Sequence, residues 1–274
     1  MALCPTAQPP RKSLPGLTTL TAALLLAACQ STPPKPAIQP ASHVPDFARK
    51  PFMPFARDEA VAIALREWRA WGMTVDDDPP GSRPPSPYKP ERNAGMWQRV
   101  GEYWWLGQDA SRDESAWTGR TDAFGTVFDP NDDEGYAWSA AFISYVMRTA
   151  GAGTRFPYSP SHWTYINAAR EVSLGRKPGW AISAERIDSY APQPGDLVCA
   201  GRHNARSMTF DDLPASPFPS HCDIAVANDG ALLTVVGGNV DDSVTMKHLP
   251  LTIDGRVSDP RYPWFVVIRV LYDM

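Results

Sequence analysis

The chain has 274 residues, a formal net charge of −4 and an apolar content of 43%. This is enough to bury one sizeable core with room for an appended subdomain. The acidic balance excludes an electrostatic footprint for nucleic acid, and after residue 30 no run of about twenty apolar residues is present to cross a membrane.

Arg11 and Lys12 open a short positive region, and Leu17 to Ala28 form a small apolar run that is too short to span a bilayer. The run ends in Leu26-Ala27-Ala28-Cys29. The order of charge, apolar run, small residues and cysteine resembles a bacterial lipobox. That resemblance implies a signal peptide over 1–28, diacylation of Cys29 and a membrane partner reached through the lipid. Gln30 follows the cysteine, and resemblance to sorted lipoproteins then implies the outer membrane, with the protein facing the periplasm. Cleavage would remove two positive residues and no acid, so the mature chain becomes more acidic.

Of 29 prolines, 17 fall in the first 90 residues. Residues 29–54 read as a lipidated cysteine and a proline-rich tether, and 55–274 as the globular part. Within it, 55–107 reads as a helical extension and about 108–274 as the core. Arg57–Trp71 is expected to be a helix, since Ala60, Ile63, Ala64, Trp68 and Trp71 recur at helical spacing. Asp76–Pro90 is a proline-broken loop. Asn93–Leu106 is a second helix, with Trp97, Val100, Trp104 and Trp105 as its core-facing stripe. Trp138–Ala150 is a third, preceded by Asp132, Asp133 and Glu134, which suit a helix N-terminus, and stopped at Gly151. Ser161–Val172 is a fourth.

Strands follow. Pro194-Gly195-Asp196 turns into the strand Leu197–Ala200, and Gly201–Ser220 is a polar loop. Cys222–Ala227 and Leu232–Val236 form a hairpin through Asp229-Gly230, with Gly237-Gly238-Asn239 closing the second strand. Trp264–Leu271 is the last strand. Helices ahead of an antiparallel meander indicate an α+β fold.

Three residues stand where acyl-transfer chemistry would need them: Ser139 at the start of an apolar helix, His221 at the start of a strand, and Asn239 at the end of the next. A nucleophile needs a base, and the base needs an orienting group. Asp223, two residues from His221 and so on the same strand face, competes with Asn239 for that last role. Each residue also has a structural reading: Ser139 as a helix-starting serine, His221 as a loop-edge histidine, and Asn239 as a turn residue.

The order Trp138-Ser139-Ala140-Ala141-Phe142-Ile143-Ser144, Pro194-Gly195-Asp196-Leu197-Val198, His221-Cys222-Asp223-Ile224-Ala225-Val226 and Gly237-Gly238-Asn239 resembles the NlpC-type and CHAP-type amidases and endopeptidases. These papain-like enzymes cut peptide bonds in peptidoglycan. The resemblance covers about residues 95–272. It implies a papain-like core, a catalytic set of Ser139, His221 and Asn239, with the third residue on the following strand and so favoured over Asp223, no cofactor, and peptidoglycan or an envelope protein as partner. It also extends to an uncharacterised branch of envelope proteins with serine in the cysteine position. A cysteine near pKa 8.5 can be held as a thiolate by an imidazolium, whereas a serine must lose its proton during attack. Three outcomes stay open: a serine hydrolase, a non-catalytic binder of wall peptides, and a scaffold with neither property.

Two further cysteines, Cys199 and Cys222, lie on strands expected to be antiparallel neighbours, and a disulfide between them is the leading reading. A zinc site of Cys199, His203, His221 and Cys222 is the alternative. Against it, adjacent strand residues point to opposite faces, so His221 and Cys222 would not share an ion easily.

Overall fold

A computed structural model describes residues 54–82, 84, 86–132 and 135–273. The expected signal peptide, Cys29 and all of the expected tether but Pro54 lie outside the described residues, as do Asp133 and Glu134. Among the described residues the architecture is α+β, with four α-helices and a six-stranded antiparallel sheet. The helices are α1 (Arg57–Ala70), α2 (Met96–Leu106), α3 (Ser139–Thr149) and α4 (His162–Ser173). The strands are β1 (Ile182–Arg186), β2 (Leu197–Gly201), β3 (Ser220–Asn228), β4 (Leu232–Val240), β5 (Ser243–Pro250) and β6 (Trp264–Val270), in the order β1-β6-β2-β3-β4-β5.

α3 is the hub. Every residue from Ser139 to Met147 is buried, so this helix is apolar nearly all round, as a helix enclosed by other elements must be. It ends where Gly151 takes φ 95°, a left-handed conformation that glycine adopts without the steric cost of a Cβ. One face of α3 meets the sheet. The others meet α1 and α2, which belong to the same core cluster through Ile63, Val100, Tyr103 and Trp104. The segment 55–107 is thus part of the core and not an appendage to it. Trp104 is buried as expected, but Trp105 is 55% exposed, because successive helical residues point about 100° apart and only one of the pair can face α3.

The three helices are locked by one buried carboxylate. Glu67 on α1 is fully buried. It accepts hydrogen bonds from Arg99 Nε at 2.6 Å and Tyr103 Oη at 2.7 Å on α2, and from Tyr145 Oη at 3.3 Å on α3. Burial alone would raise its pKa. The bonds from Arg99 and Tyr103 and the arginine charge outweigh that and hold it below the usual carboxylate range.

The sheet has two covered faces. Cys199, Cys222, Ile224, Val236, Val266 and Ile268 join the helical core. On the other face Val198, Ala225, Leu233, Val235, Leu249 and Val267 form a smaller cluster beneath loop residues such as Tyr190 and Val257. The β5 edge is capped by residues 74–76, which exchange backbone hydrogen bonds with Met246 (Met246 N to Thr74 O 3.0 Å, Asp76 N to Met246 O 2.9 Å), so little bare edge is offered for strand addition. The Pro194-Gly195-Asp196 turn is stapled by Asp196, whose carboxylate accepts from Gln193 N at 2.9 Å, Tyr190 Oη at 2.9 Å and Val270 N at 3.0 Å.

Two expectations are corrected. Gly237-Gly238-Asn239 does not close β4; the strand runs on to Val240. The expected meander also lacked β1 and β5, which form the two ends of the sheet order.

Cys199 and Cys222 are register partners on β2 and β3 and are joined as a disulfide. Both sulfurs are thereby consumed, which removes the thiolates that the alternative zinc site required. The bridge closes a loop with a sequence separation of 23. Replacing both cysteines by alanine should lower unfolding free energy by about 3 kcal/mol in the chain-entropy picture, measured by guanidinium unfolding under oxidising conditions. An unchanged midpoint would contradict this.

Candidate functional site

Ser139 is the first residue of α3 and 5% exposed. Its partner is not the histidine that the sequence pointed to. Ser139 Oγ lies 2.7 Å from His162 Nε2, at the first turn of α4, and makes no hydrogen bond to His221. On its other side His162 Nδ1 is hydrogen-bonded to Tyr165 Oη. His162 and Tyr165 are three residues apart on α4, a spacing that stacks side chains on one helix face.

The proton inventory fixes the direction of these bonds. Tyr165 is fully buried. Burial, with the Asp223 charge adding to it, raises its pKa well above the usual phenol value, so the phenol keeps its proton. Among the described residues the only hydrogen-bond partner of Tyr165 Oη is His162 Nδ1, and a buried hydroxyl proton without an acceptor is costly. Nδ1 therefore accepts. His162 is neutral, because burial pushes its pKa well below 6.5, with the nearby His221 and Arg202 acting in the same direction. A neutral imidazole carries one proton, so Nε2–H donates to Ser139 Oγ. Ser139 is thus held as an acceptor, and the imidazole beside it has no lone pair turned towards the hydroxyl.

His221, at the start of β3, belongs to a second constellation. Its Nε2 donates to Asp223 Oδ1 at 2.7 Å, and Asp223 Oδ2 accepts from Lys247 Nζ on β5 at 2.8 Å. Asp223 and Lys247 are 0% and 2% exposed. Burial opposes ionisation of Asp223, but the charge of Lys247 and the hydrogen bonds from His221 and Lys247 hold its pKa far below the usual carboxylate range. The group that orients His221 is therefore Asp223, not Asn239. Asn239 sits in β4 with φ 55° and lines the same cleft as His221 without bonding to it. Burial lowers the pKa of His221, outweighing the opposing pull of Asp223, so this ring is also neutral at pH 7. With Nε2–H committed to Asp223, its Nδ1 is an acceptor that forms no hydrogen bond among the described residues.

The ion pair between β3 and β5 passes over β4 at Gly237. A Cβ there would stand 1.8 Å from Asp223 Oδ1 and 3.0 Å from His221 Nε2. The next residue, Gly238, faces the other way. A Cβ there would come within 2.6 Å of Phe142 and 2.9 Å of Trp138. Consecutive strand residues alternate faces, so the two bare positions admit the ion pair on one side and α3 on the other.

Two clefts open here. One, of about 340 Å³, holds His221, Asn239 and Lys247. The other, of about 240 Å³, holds Ser139 and His162. Arg202 and His203 line both. The two imidazole rings are 5.4 Å apart, centroid to centroid. The structure thus brings Ser139 and His221 into one neighbourhood but inserts His162 as the serine's partner. Sequence reasoning missed His162, Tyr165 and Lys247; the usable signal for the first two was their three-residue spacing on a helix. Among the described residues no group of three or more His, Cys, Asp or Glu side chains is arranged to hold a metal ion.

Beside the site, Trp138 Nε1 donates to Glu91 Oε2 at 2.5 Å. Glu91 is fully buried, and its Oε1 has no hydrogen-bond partner. Burial pushes its pKa from 4.5 up to about 7.

The sequence profile of a family described as "Uncharacterized protein conserved in bacteria (DUF2272)" matches residues 91–270. No curated protein matches the chain. No solved structure matches it either.

Glu91 gives a pH signature of definite sign. Its folded pKa is raised, so the folded state favours the protonated carboxyl. Stability from this group is present below about 4.5 and is lost as pH rises through about 7. Glu91→Gln should flatten that decline and be more stable than the wild type at pH 8 by about 1–3 kcal/mol, measured by denaturant unfolding at pH 5 and pH 8. Parallel pH profiles for the two proteins would refute the assignment.

Proposed function

The chain belongs to the DUF2272 family of uncharacterised bacterial proteins, and from that premise we propose that it is a lipid-anchored envelope protein whose papain-like core binds wall peptides without cleaving them. The lipobox-like run ending at Cys29 supports the anchor, and Gln30 favours the outer membrane with the domain in the periplasm. The papain-like reading draws on the motif order together with the arrangement of α3 on a sheet that carries His221 on β3.

One observation carries the non-catalytic reading: His162 lies between Ser139 Oγ and the buried Tyr165 phenol, an arrangement from which we infer that Tyr165 donates to Nδ1 and Nε2–H donates to Ser139. A serine nucleophile needs an imidazole lone pair to take its proton during attack. The imidazole at Ser139 offers a proton instead. Burial also lowers the pKa of both histidines, so neither ring adds a positive charge beside Ser139 at neutral pH. What the two clefts retain is recognition chemistry, with pocket-sized volume and a few converging polar groups.

A hydrolase reading has one observation in its favour. His221 has Nε2 anchored to Asp223 and Nδ1 unbonded, the tautomer of a general base. In that reading Ser139 leaves His162 and becomes the nucleophile, His221 the base and Asp223 or Asn239 its support, acting on peptidoglycan amide bonds.

The readings separate in one experiment. Wild type, Ser139→Ala and Ser139→Cys are incubated with purified sacculi and model wall peptides, and both retention and newly released amines are measured. Retention by wild type and Ser139→Ala, with no amine released by either, is expected. Amine release by the wild type that falls at least about 100-fold in Ser139→Ala would establish the hydrolase instead. The anchor is tested separately in cells: Cys29→Ala should move the protein from the membrane pellet to the soluble fraction, and an unchanged distribution would remove the lipid from the proposal.

A further inference from the structure

Arg202 and Arg206 bracket a single helical turn, His203–Ala205, at the end of β2. Both are exposed, and among the described residues neither guanidinium makes a hydrogen bond or ion pair. Both line the His221 cleft, and Arg202 also lines the Ser139 cleft. The acids on the His221 cleft, Asp76 and Asp241, are each already engaged within the chain, and Asp223 is neutralised by Lys247. Asp76 and Asp241 share the cleft with them, and the two guanidiniums are its cations without an acid partner among the described residues, in a chain that is acidic as a whole.

The turn that carries them is fixed. A Cβ at Gly201 would stand 1.9 Å from Ala205 O, so the turn lies directly on the strand. Ala205 is 3% exposed. Arg202 N donates to Pro219 O at 3.0 Å, and Ala205 N to Arg202 O at 2.7 Å. The Cys199–Cys222 disulfide ties the two strands that hold this turn and the segment opposite it. A guanidinium on a fixed backbone loses less freedom on binding than one on a loose loop. Its planar fork matches a carboxylate through two parallel N–H···O bonds, which an ammonium does not reproduce.

We propose that Arg202, assisted by Arg206, is the carboxylate-recognition point of this cleft, and that the ligand is a short peptide bound through a free carboxylate with its chain running between the two clefts. This rests on the peptide-binding reading above and adds the group by which the peptide is held. His221 lines the same cleft, and its Nδ1 would accept from a backbone N–H of the same ligand. The arrangement selects peptide ends and acidic side chains over neutral peptide interiors.

The test uses the soluble mature chain and a synthetic wall-type tripeptide, as its free acid and as its C-terminal amide with no other carboxylate, in isothermal titration. The acid should bind the wild type at least about tenfold more tightly than the amide, as charge-assisted bonds imply. Arg202→Gln should bring the acid down to the level of the amide, with Arg202→Lys between the two and Arg206→Gln causing a smaller loss. Thermal unfolding of each variant checks that the fold is kept. Inorganic phosphate should compete with the acid. Equal binding of acid and amide by the wild type would overturn the carboxylate assignment while leaving peptide binding in place. Binding of neither would overturn both, and binding of phosphate without peptide would reduce the site to a simple anion site.

Discussion

The structure turns on a buried ion pair that has to cross a strand. Asp223 on β3 and Lys247 on β5 are separated by β4, so their bond can form only where β4 carries no side chain. Gly237 supplies that gap. Two buried charges gain little from each other after desolvation, and a pair with one partner removed is strongly destabilising. The pair is therefore better understood as a positioning device than as a source of stability. It holds the Asp223 carboxylate ionised, the carboxylate fixes the His221 tautomer, and the free nitrogen of that ring is thereby defined. Gly238 does the corresponding work on the opposite face, letting Phe142 and Trp138 touch the sheet and so setting the depth at which Ser139 lies.

Much of the fold was legible in the sequence, and what was missed has a common cause. The four helices were visible because apolar residues recur at helical spacing and glycine or proline marks their ends. The hairpin of β3 and β4 was visible through Asp229-Gly230, and the cysteine pair through the expected neighbouring of β2 and β3. β5 was missed because its interior carries Thr245, Lys247 and His248. Val244 and Met246 do alternate into the core, but Thr245 and Lys247 between and beyond them are buried as well, so the strand does not read as apolar-in, polar-out. β1 is only five residues long and mixes Ser183, Glu185 and Arg186 into its pattern. Gly237-Gly238 looked like punctuation, yet glycine in a strand also marks a close approach of other groups, and here it does so twice.

The same distinction explains the site. Ser139, His221 and their neighbourhood were recoverable because motif order is a property of the chain. The pairing of Ser139 with His162 was not, because α4 carries no motif and its first turn meets α3 only in three dimensions. Which way a proton points within Ser139–His162–Tyr165 depends on the burial of a phenol, and burial is not written in any local pattern. One helical histidine thus separates two readings of the same serine.

The ends of the folded unit meet. Phe55 N donates to Asp273 Oδ2 at 2.8 Å, Asp273 N returns a bond to Phe55 O at 2.9 Å, and Arg155 binds the Asp273 carboxylate through two nitrogens at 2.5 and 2.9 Å. Mechanically, tension arriving along the chain at residue 54 is shared at once with the last residues after β6 instead of peeling α1 away alone. The fold is closed like a clasp at the point where it would be hung, and load at that clasp is borne by bonds remote in sequence from Ser139 and His221.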